Sequence, residues 1–272
     1  MHITSRQNEF LKHVRAVRDG RNRQAIFLEG VRLCEEALRS ALAIEAVIHI
    51  TDAPRHEREQ ILLAELSRQA HRVYSVPPDI FATLSDVEVH QGLCLLATPP
   101  STGAQYLRLS TAAPLLLVLH KLNNPSNAGA LLRTAEAAGV NGVIATMGTT
   151  YLFAPKALRG AMGASLRLPL WTGPTLPEVA NWCAEHGIYT VCADVRASLR
   201  HTEIDWTRPT ALVMGPEASG LTEAEREMMQ QLLRIPMQTP VESLNVGVAA
   251  GIALYEAARQ RGFSEMRDEM KR

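Results

Sequence analysis

The sequence predicts an α/β protein of two domains. A small α/β domain spans residues 1–98, a linker spans 99–113, and a doubly wound parallel-sheet domain spans 114–272. Three observations carry this reading. Between Ile26 and Thr98 strand-like and helix-like patterns alternate on a short scale, as in a small mixed unit. Pro99-Pro100-Ser101-Thr102-Gly103 then breaks both patterns. After Pro114 come six apolar runs, most of them separated by helical stretches, and such runs suit strands buried on both faces of a sheet.

Taken in order, the first 24 residues hold Arg6, Lys12, Arg15, Arg18, Arg21 and Arg23 against Glu9 and Asp19. That excess predicts either a basic N-terminal arm or a solvated helix face. The strand-like IFLEG, the helix-like VRLCEEALRSA, the strand-like AVIHI, a charged helix from Arg55 to Gln69, and the strands RVYSV and GLCLLAT complete the first domain. In the second, the runs LLLVL, GVIAT, LRLPLW, IYTVCA, TALVMG and LLRIPM are the expected strands.

A chain of 272 residues with 46% hydrophobic content can bury a sizeable core. Its 28 basic and 28 acidic residues cancel, so no overall field announces a nucleic acid or a membrane. Cys34, Cys94, Cys183 and Cys192 show no CxxC spacing and read as reduced core thiols, neither a disulfide frame nor a zinc site; no metal is expected. No apolar stretch reaches the roughly 20 residues that span a bilayer, and the first residues lack a leader's apolar segment. The expectation is a cytoplasmic protein without a membrane partner.

Parallel α/β sheets bind ligands beyond the carboxyl ends of their strands. After LLLVL, where a dinucleotide fold carries GxGxxG and a phosphate loop GxxxxGK[ST], the sequence has HKLNNPSNAGALLR, so neither reading holds. No GxSxG elbow follows a strand, and His56-Glu57 is followed by Gln60 where a zinc HExxH would need histidine. The first loop offers Asn123, Asn124, Asn127 and, in the next helix, Arg133. Taken alone, Asn127 reads as that helix's N-cap and Arg133 as a surface residue. Gly215-Pro216-Glu217-Ala218 ends the fifth strand. After the sixth, whose end is read as Ile235-Pro236-Met237, Ser243-Leu244-Asn245 opens an apolar helix running to Arg261.

Together, NNPSNAGALLRTAEAAG, LVMGPEASGL and IPMQTPVESLNVGVAAGIALYEA resemble, in order and spacing, the three motifs of the SpoU/TrmH branch of the SPOUT methyltransferases, and KALRGAMGASLRLPL is similar to the segment between the first two. The resemblance covers about residues 113–262. FLEGVRLCEEAL and HQGLCLLAT resemble the ribosomal-protein-like RNA-binding domain often fused ahead of it. The resemblance implies a Rossmann-like catalytic domain with a C-terminal trefoil knot, a homodimer, and methyl transfer from S-adenosylmethionine to a ribose 2′-hydroxyl of RNA. Ribosomal RNA is favoured over transfer RNA; a tRNA enzyme and an inactive RNA-binding homologue are the alternatives. It implies a cofactor site at Gly215, Ile235, Met237 and Leu244, and a catalytic set of Asn127, Arg133, Glu217, Ser243 and Asn245. The family gives its motif arginine the central role. A guanidinium does not readily surrender a proton, so Arg133 reads better as a phosphate clamp and stabiliser of the developing alkoxide, with Glu217 orienting it or accepting the proton. Ala218, where the family commonly has glycine, and the stiff Pro216 depart from its pattern.

Overall fold

In the computed structural model, which describes residues 1–51, 56–109, 111–217 and 219–262, the chain forms two units. The first joins Met1–Ser101 to Tyr151–Arg167; the second joins Thr102–Thr150 to the described residues of Leu168–Arg272.

The first unit opens with α1 (Glu9–Arg18), whose Leu11, Val14 and Val17 are buried at helical spacing. There follow β1 (Ile26–Glu29), α2 (Val31–Arg39), β2 (Ile44–Ile50), α3 (Glu57–Gln69), β3 (Arg72–Val76), α4 (Pro78–Leu84) and β4 (Leu93–Ala97). The strands lie in the order β1-β4-β2-β3, with β2 and β3 parallel and the other pairs antiparallel. Phe27, Ile48, Phe81 and Leu96 lie in the core beneath them. Arg55, read as the start of the charged helix, lies outside the described residues.

The basic N-terminal stretch is not an arm. Arg15 donates to the carbonyl oxygen of Arg6 at 2.8 Å and Arg18 to that of Thr83 at 2.9 Å. Arg21 pairs with Asp19 at 2.7 Å, and the Arg23 guanidinium lies 4.7 Å from the ring centre of Tyr151. Arg18 is held because α1 buries its apolar stripe, which brings the Arg18 head against the Thr83 and Ser85 carbonyl oxygens left over at the end of α4.

The second unit starts with β5 (Leu115–Leu119), α5 (Pro125–Ala137) and β6 (Gly142–Ala145). The chain then returns to the first unit as α6 (Pro155–Ala161) and α7 (Ala164–Arg167). There Arg159 pairs with Asp86 at 2.7 Å and Arg167 pairs with the buried Glu36. The sheet resumes with β7 (Leu170–Thr172), α8 (Leu176–Glu185), β8 (Tyr189–Ala193), β9 (Thr210–Met214), α9 (Glu223–Glu227), β10 (Gln231–Leu233) and α10 (Val246–Gln260). All of its strands are parallel, in the order β10-β8-β9-β5-β6-β7. Each of the six apolar runs overlaps one strand. In LRLPLW the strand begins only after Pro169, which has no N–H for a ladder.

Residues 99–113, read as linker, are partly structured. Gly103 N–H donates to the Leu170 carbonyl at 2.8 Å, a short 3-10 turn spans Ala104–Tyr106, and Leu107 is buried. The structural division falls after Ser101, and residues 151–167, read with the second domain, belong to the first unit.

Candidate active site

β5 pairs with β9 on one side and β6 on the other, so the chain order reverses beside β5. Loops diverge at such a switch point and leave a crevice at the carboxyl ends of the strands. Into it project the loops after β5, β8, β9 and β10.

The loop after β5 turns into α5 at Asn124, whose Oδ1 accepts from the N–H groups of Ser126 (2.9 Å) and Asn127 (3.4 Å), with Pro125 at the first helical position. The cap is therefore Asn124, not Asn127. Proline lacks an N–H and its φ suits the first helical residue, so the residue before it takes the cap. Asn127, released from capping, sends Nδ2 to Glu217 Oε1 and accepts from Asn245 Nδ2 at 3.3 Å. Asn245 is itself the N-cap of α10, its Oδ1 accepting from Gly247 N–H at 2.9 Å and Val248 N–H at 3.4 Å. One hydrogen-bonded chain, Glu217–Asn127–Asn245, thus crosses three loops.

Two sequence readings are corrected here. The last helix starts at Val246, one residue after its cap, so Ser243 and Leu244 belong to the preceding loop. β10 ends at Leu233, so Ile235-Pro236-Met237 follows the strand and does not end it.

These loops enclose a cavity of about 850 Å³, the size of a small-ligand site. Its wall includes Asn127, Glu217, Ser243 and Asn245 from the expected catalytic set and Gly215, Ile235, Met237 and Leu244 from the expected cofactor set. Gly215 sits in a crowded turn: a Cβ there would lie 3.3 Å from the Leu221 backbone nitrogen and 3.4 Å from the Gly220 carbonyl carbon, so those neighbours would have to give way by a few tenths of an ångström. Ala218 lies outside the described residues.

Arg133 is not part of the wall. It lies six residues beyond Asn127, about 240° around a helix of 3.6 residues per turn, and it is exposed with no hydrogen bond or ion pair to a described residue. The loop after β8 supplies residues that the motif reading missed. Asp194, nearly buried in the wall, accepts from Arg196 Nη2 at 3.0 Å and Arg196 N–H at 2.8 Å, with Arg226 at 3.5 Å. The Arg196 hydrogen bond holds the Asp194 carboxyl below its usual range, against the opposing effect of burial. The signal available was position alone, since Asp194 directly follows the run IYTVCA. Among the described residues no group of His, Cys, Asp and Glu is placed to hold a metal, and no helix is long and apolar enough to cross a membrane.

Residues 114–255 match the SpoU rRNA Methylase family, and residues 27–103 match the RNA 2′-O ribose methyltransferase substrate binding family. The chain is 33% identical to an uncharacterized tRNA/rRNA methyltransferase of Synechocystis, over 95% of this chain and 94% of that one. It is 34% identical to the 23S rRNA (guanosine-2′-O-)-methyltransferase RlmB of Bordetella pertussis, over 86% of this chain and 97% of that one. The crystal structure of an AdoMet-bound rRNA methyltransferase from Sinorhizobium meliloti superposes with a TM-score of 0.85 at 25% identity, over 95% of this chain and 97% of that one. An RNA 2′-O ribose methyltransferase superposes with a TM-score of 0.81 at 32% identity, over 96% and 99%.

Proposed function

Because the chain belongs to the SpoU rRNA methylase family, we propose that it transfers a methyl group from S-adenosylmethionine to the 2′-hydroxyl of a guanosine in 23S ribosomal RNA. The observation that carries this reading is the Glu217–Asn127–Asn245 chain in the wall of the cavity. The choice of 23S guanosine rests on the similarity to RlmB.

The residues present suit the cofactor. Met214, Leu221, Ile235, Leu244 and Val246 give the cavity apolar surface for an adenosine, Gly215 lets the backbone approach, and Asp194, Glu217 and Glu242 supply carboxylates where a cation must sit. Bound S-adenosylmethionine supplies an electrophilic methyl group. The protein's part is then to hold the ribose oxygen in line and to take its proton. Asn127 orients Glu217 through Oε1; the other carboxylate oxygen is the acceptor for that proton. We assign Gly215, Ile235, Met237 and Leu244 to the cofactor, and Asn127, Glu217, Ser243 and Asn245 to the reaction.

Arg133 enters the reaction through a second copy of the chain. Support for a homodimer comes from α10, which packs on α5 while leaving Val248 and Tyr255 exposed, apolar surface of the kind a partner covers. Arg133, exposed on α5 and outside its own chain's cavity, is the residue we assign such a copy to supply. We further read the segment from β9 through α10 as the family's trefoil knot, since β9, β10 and α10 all contribute to one cavity. We place an RNA-holding domain at residues 1–98, a linker at 99–113, the methyltransferase domain at 114–272 with its segment 151–167 packed into the first unit, and the protein in the cytoplasm.

Methyl transfer from labelled cofactor to separated ribosomal and transfer RNA, followed by mapping of the modified ribose, tests the reading. Label in one guanosine of 23S RNA is expected. Label confined to transfer RNA would move the protein to that substrate, and no label in any RNA, with the cofactor bound, would overturn the activity.

A further inference from the structure

Beneath the Asn127 and Glu217 loops lies a second polar cluster. His120, the first residue after β5 and 2% exposed, places Nε2 3.0 Å from Glu225 Oε1 and Nδ1 2.9 Å from Thr146 Oγ1. Lys121 Nζ donates to the same Glu225 oxygen at 2.7 Å. The other Glu225 oxygen accepts from the Thr222 N–H at 2.9 Å, closing the capping box of α9. One carboxylate therefore joins the loop after β5, the loop after β6 through Thr146, and the helix that follows the Glu217 loop.

The placement matters more than the hydrogen-bond count. Residues 120–127 and 217–225 are linked twice, by His120 and Lys121 to Glu225 at one end and by Asn127 to Glu217 at the other. Lys121 also takes a left-handed backbone, φ 52°, an unusual conformation for a non-glycine residue that its surroundings must hold. Burying charged groups between strand ends is a poor way to gain stability, because desolvation offsets attraction, yet directional bonds fix one spacing where apolar contacts tolerate sliding.

We infer that His120, Lys121 and Glu225 form a positioning element for the methyl transfer, setting the distance between the Asn127 and Glu217 loops and so the hydrogen bond between them. The inference rests on the function proposed above. None of the three lines the cavity, so they act through Asn127 and Glu217.

Glu225→Gln keeps the shape and removes the charge that His120 and Lys121 share. At saturating RNA and cofactor, kcat should fall about tenfold while the cofactor Kd stays within twofold. In an Asn127→Ala background the same change should cost less than twofold, because the bond it positions is already gone. An equal loss in both backgrounds, or a loss explained by weaker cofactor binding, overturns the inference. Lys121→Met changes a half-exposed side chain that folding tolerates, and decides the matter if Glu225→Gln does not fold. The Asn127 side-chain amide resonance, observed with nitrogen-labelled asparagine, should shift in Lys121→Met; an unmoved resonance overturns the inference. That signal needs no substrate, so it stands even if the parent protein methylates no RNA, in which case only the proposed function fails.

Discussion

Two regions use arginine in opposite ways. In and just after α1, Arg15, Arg18, Arg21 and Arg23 are occupied by carbonyl oxygens, a carboxylate and an aromatic ring of their own unit. On α5, Arg133 has no described partner. By composition alone the basic run stands out and a single arginine does not; only the motif resemblance singled out Arg133. The difference teaches that availability for RNA is decided by what the fold leaves unpaired. An arginine already bonded to backbone oxygens must break those bonds to reach a phosphate, whereas a free one loses only hydration and side-chain entropy.

The sharpest way to break the comparison is Arg133→Ala. If this arginine serves the reaction, the transfer rate should drop a hundredfold or more, a barrier change of about 2.7 kcal/mol. Stability and cofactor affinity should stay near the parent values, within about 0.5 kcal/mol. Arg133→Lys should recover only part of the rate, because an ammonium lacks the planar fork. A rate for the alanine variant within a few-fold of the parent would remove Arg133 from the mechanism.

Arg18→Ala should do the opposite, lowering stability by about 1.5–2 kcal/mol through its lost bonds to the Thr83 and Ser85 carbonyls. The salt dependence of RNA binding should be unchanged. A salt slope reduced by about one unit would instead show that Arg18 contacts phosphate. Denaturant midpoints and binding titrations at several salt concentrations read the two effects separately.

A smaller effect concerns pH. Burial holds the His120 imidazole below its usual value of 6.5, with Glu225 opposing and Lys121 reinforcing. Glu225 is brought down to about 2; burial raises it, but the hydrogen bonds from Lys121, Thr222 and His120 prevail. For His120 the unfolded chain takes up a proton before the folded one, so its contribution is complete above pH 6.5 and is lost as pH falls below it. For Glu225 the contribution is complete above about 4.5 and is lost between there and about 2. Stability should therefore be level from pH 8 to 7 and decline from about 6.5, by at most about 1.4 kcal/mol per pH unit for one group. His120→Gln should flatten the decline between pH 6.5 and 5. An identical pH profile for that variant would show that His120 is not responsible.

The smallest effect is expected for Arg21→Ala. The Arg21–Asp19 pair is exposed on the arginine side, so stability should change by less than about 0.5 kcal/mol. A phosphate-binding Arg21 would reveal itself only in the salt slope of RNA binding.

Parts of the site were legible before any coordinates. Position at a strand's carboxyl end singled out the loops carrying Asn127, Glu217 and Asn245, because backbone pairing ends there and polar side chains can converge. The same rule applied to IYTVCA would have included Asp194, but no motif drew attention to it. The N-cap was misread although Pro125 marked it, and the start of α10 was misread although Asn245 precedes an unbroken helical run. In both places two adjacent polar residues competed for one role, and local chemistry was enough to choose between them.

Other features were beyond the reach of local pattern. Chain order puts residues 151–167 between β6 and β7, yet α6 and α7 complete the first unit through Arg159–Asp86 and Arg167–Glu36. The sequence by itself determined the six strands of the parallel sheet, because alternation of apolar runs and helices is written in neighbouring residues. Only the tertiary structure decided that Asn127 reaches Glu217, that His120 meets Glu225 and that Arg133 faces away, since each outcome depends on strand order and helix rotation, which bring together residues about a hundred positions apart.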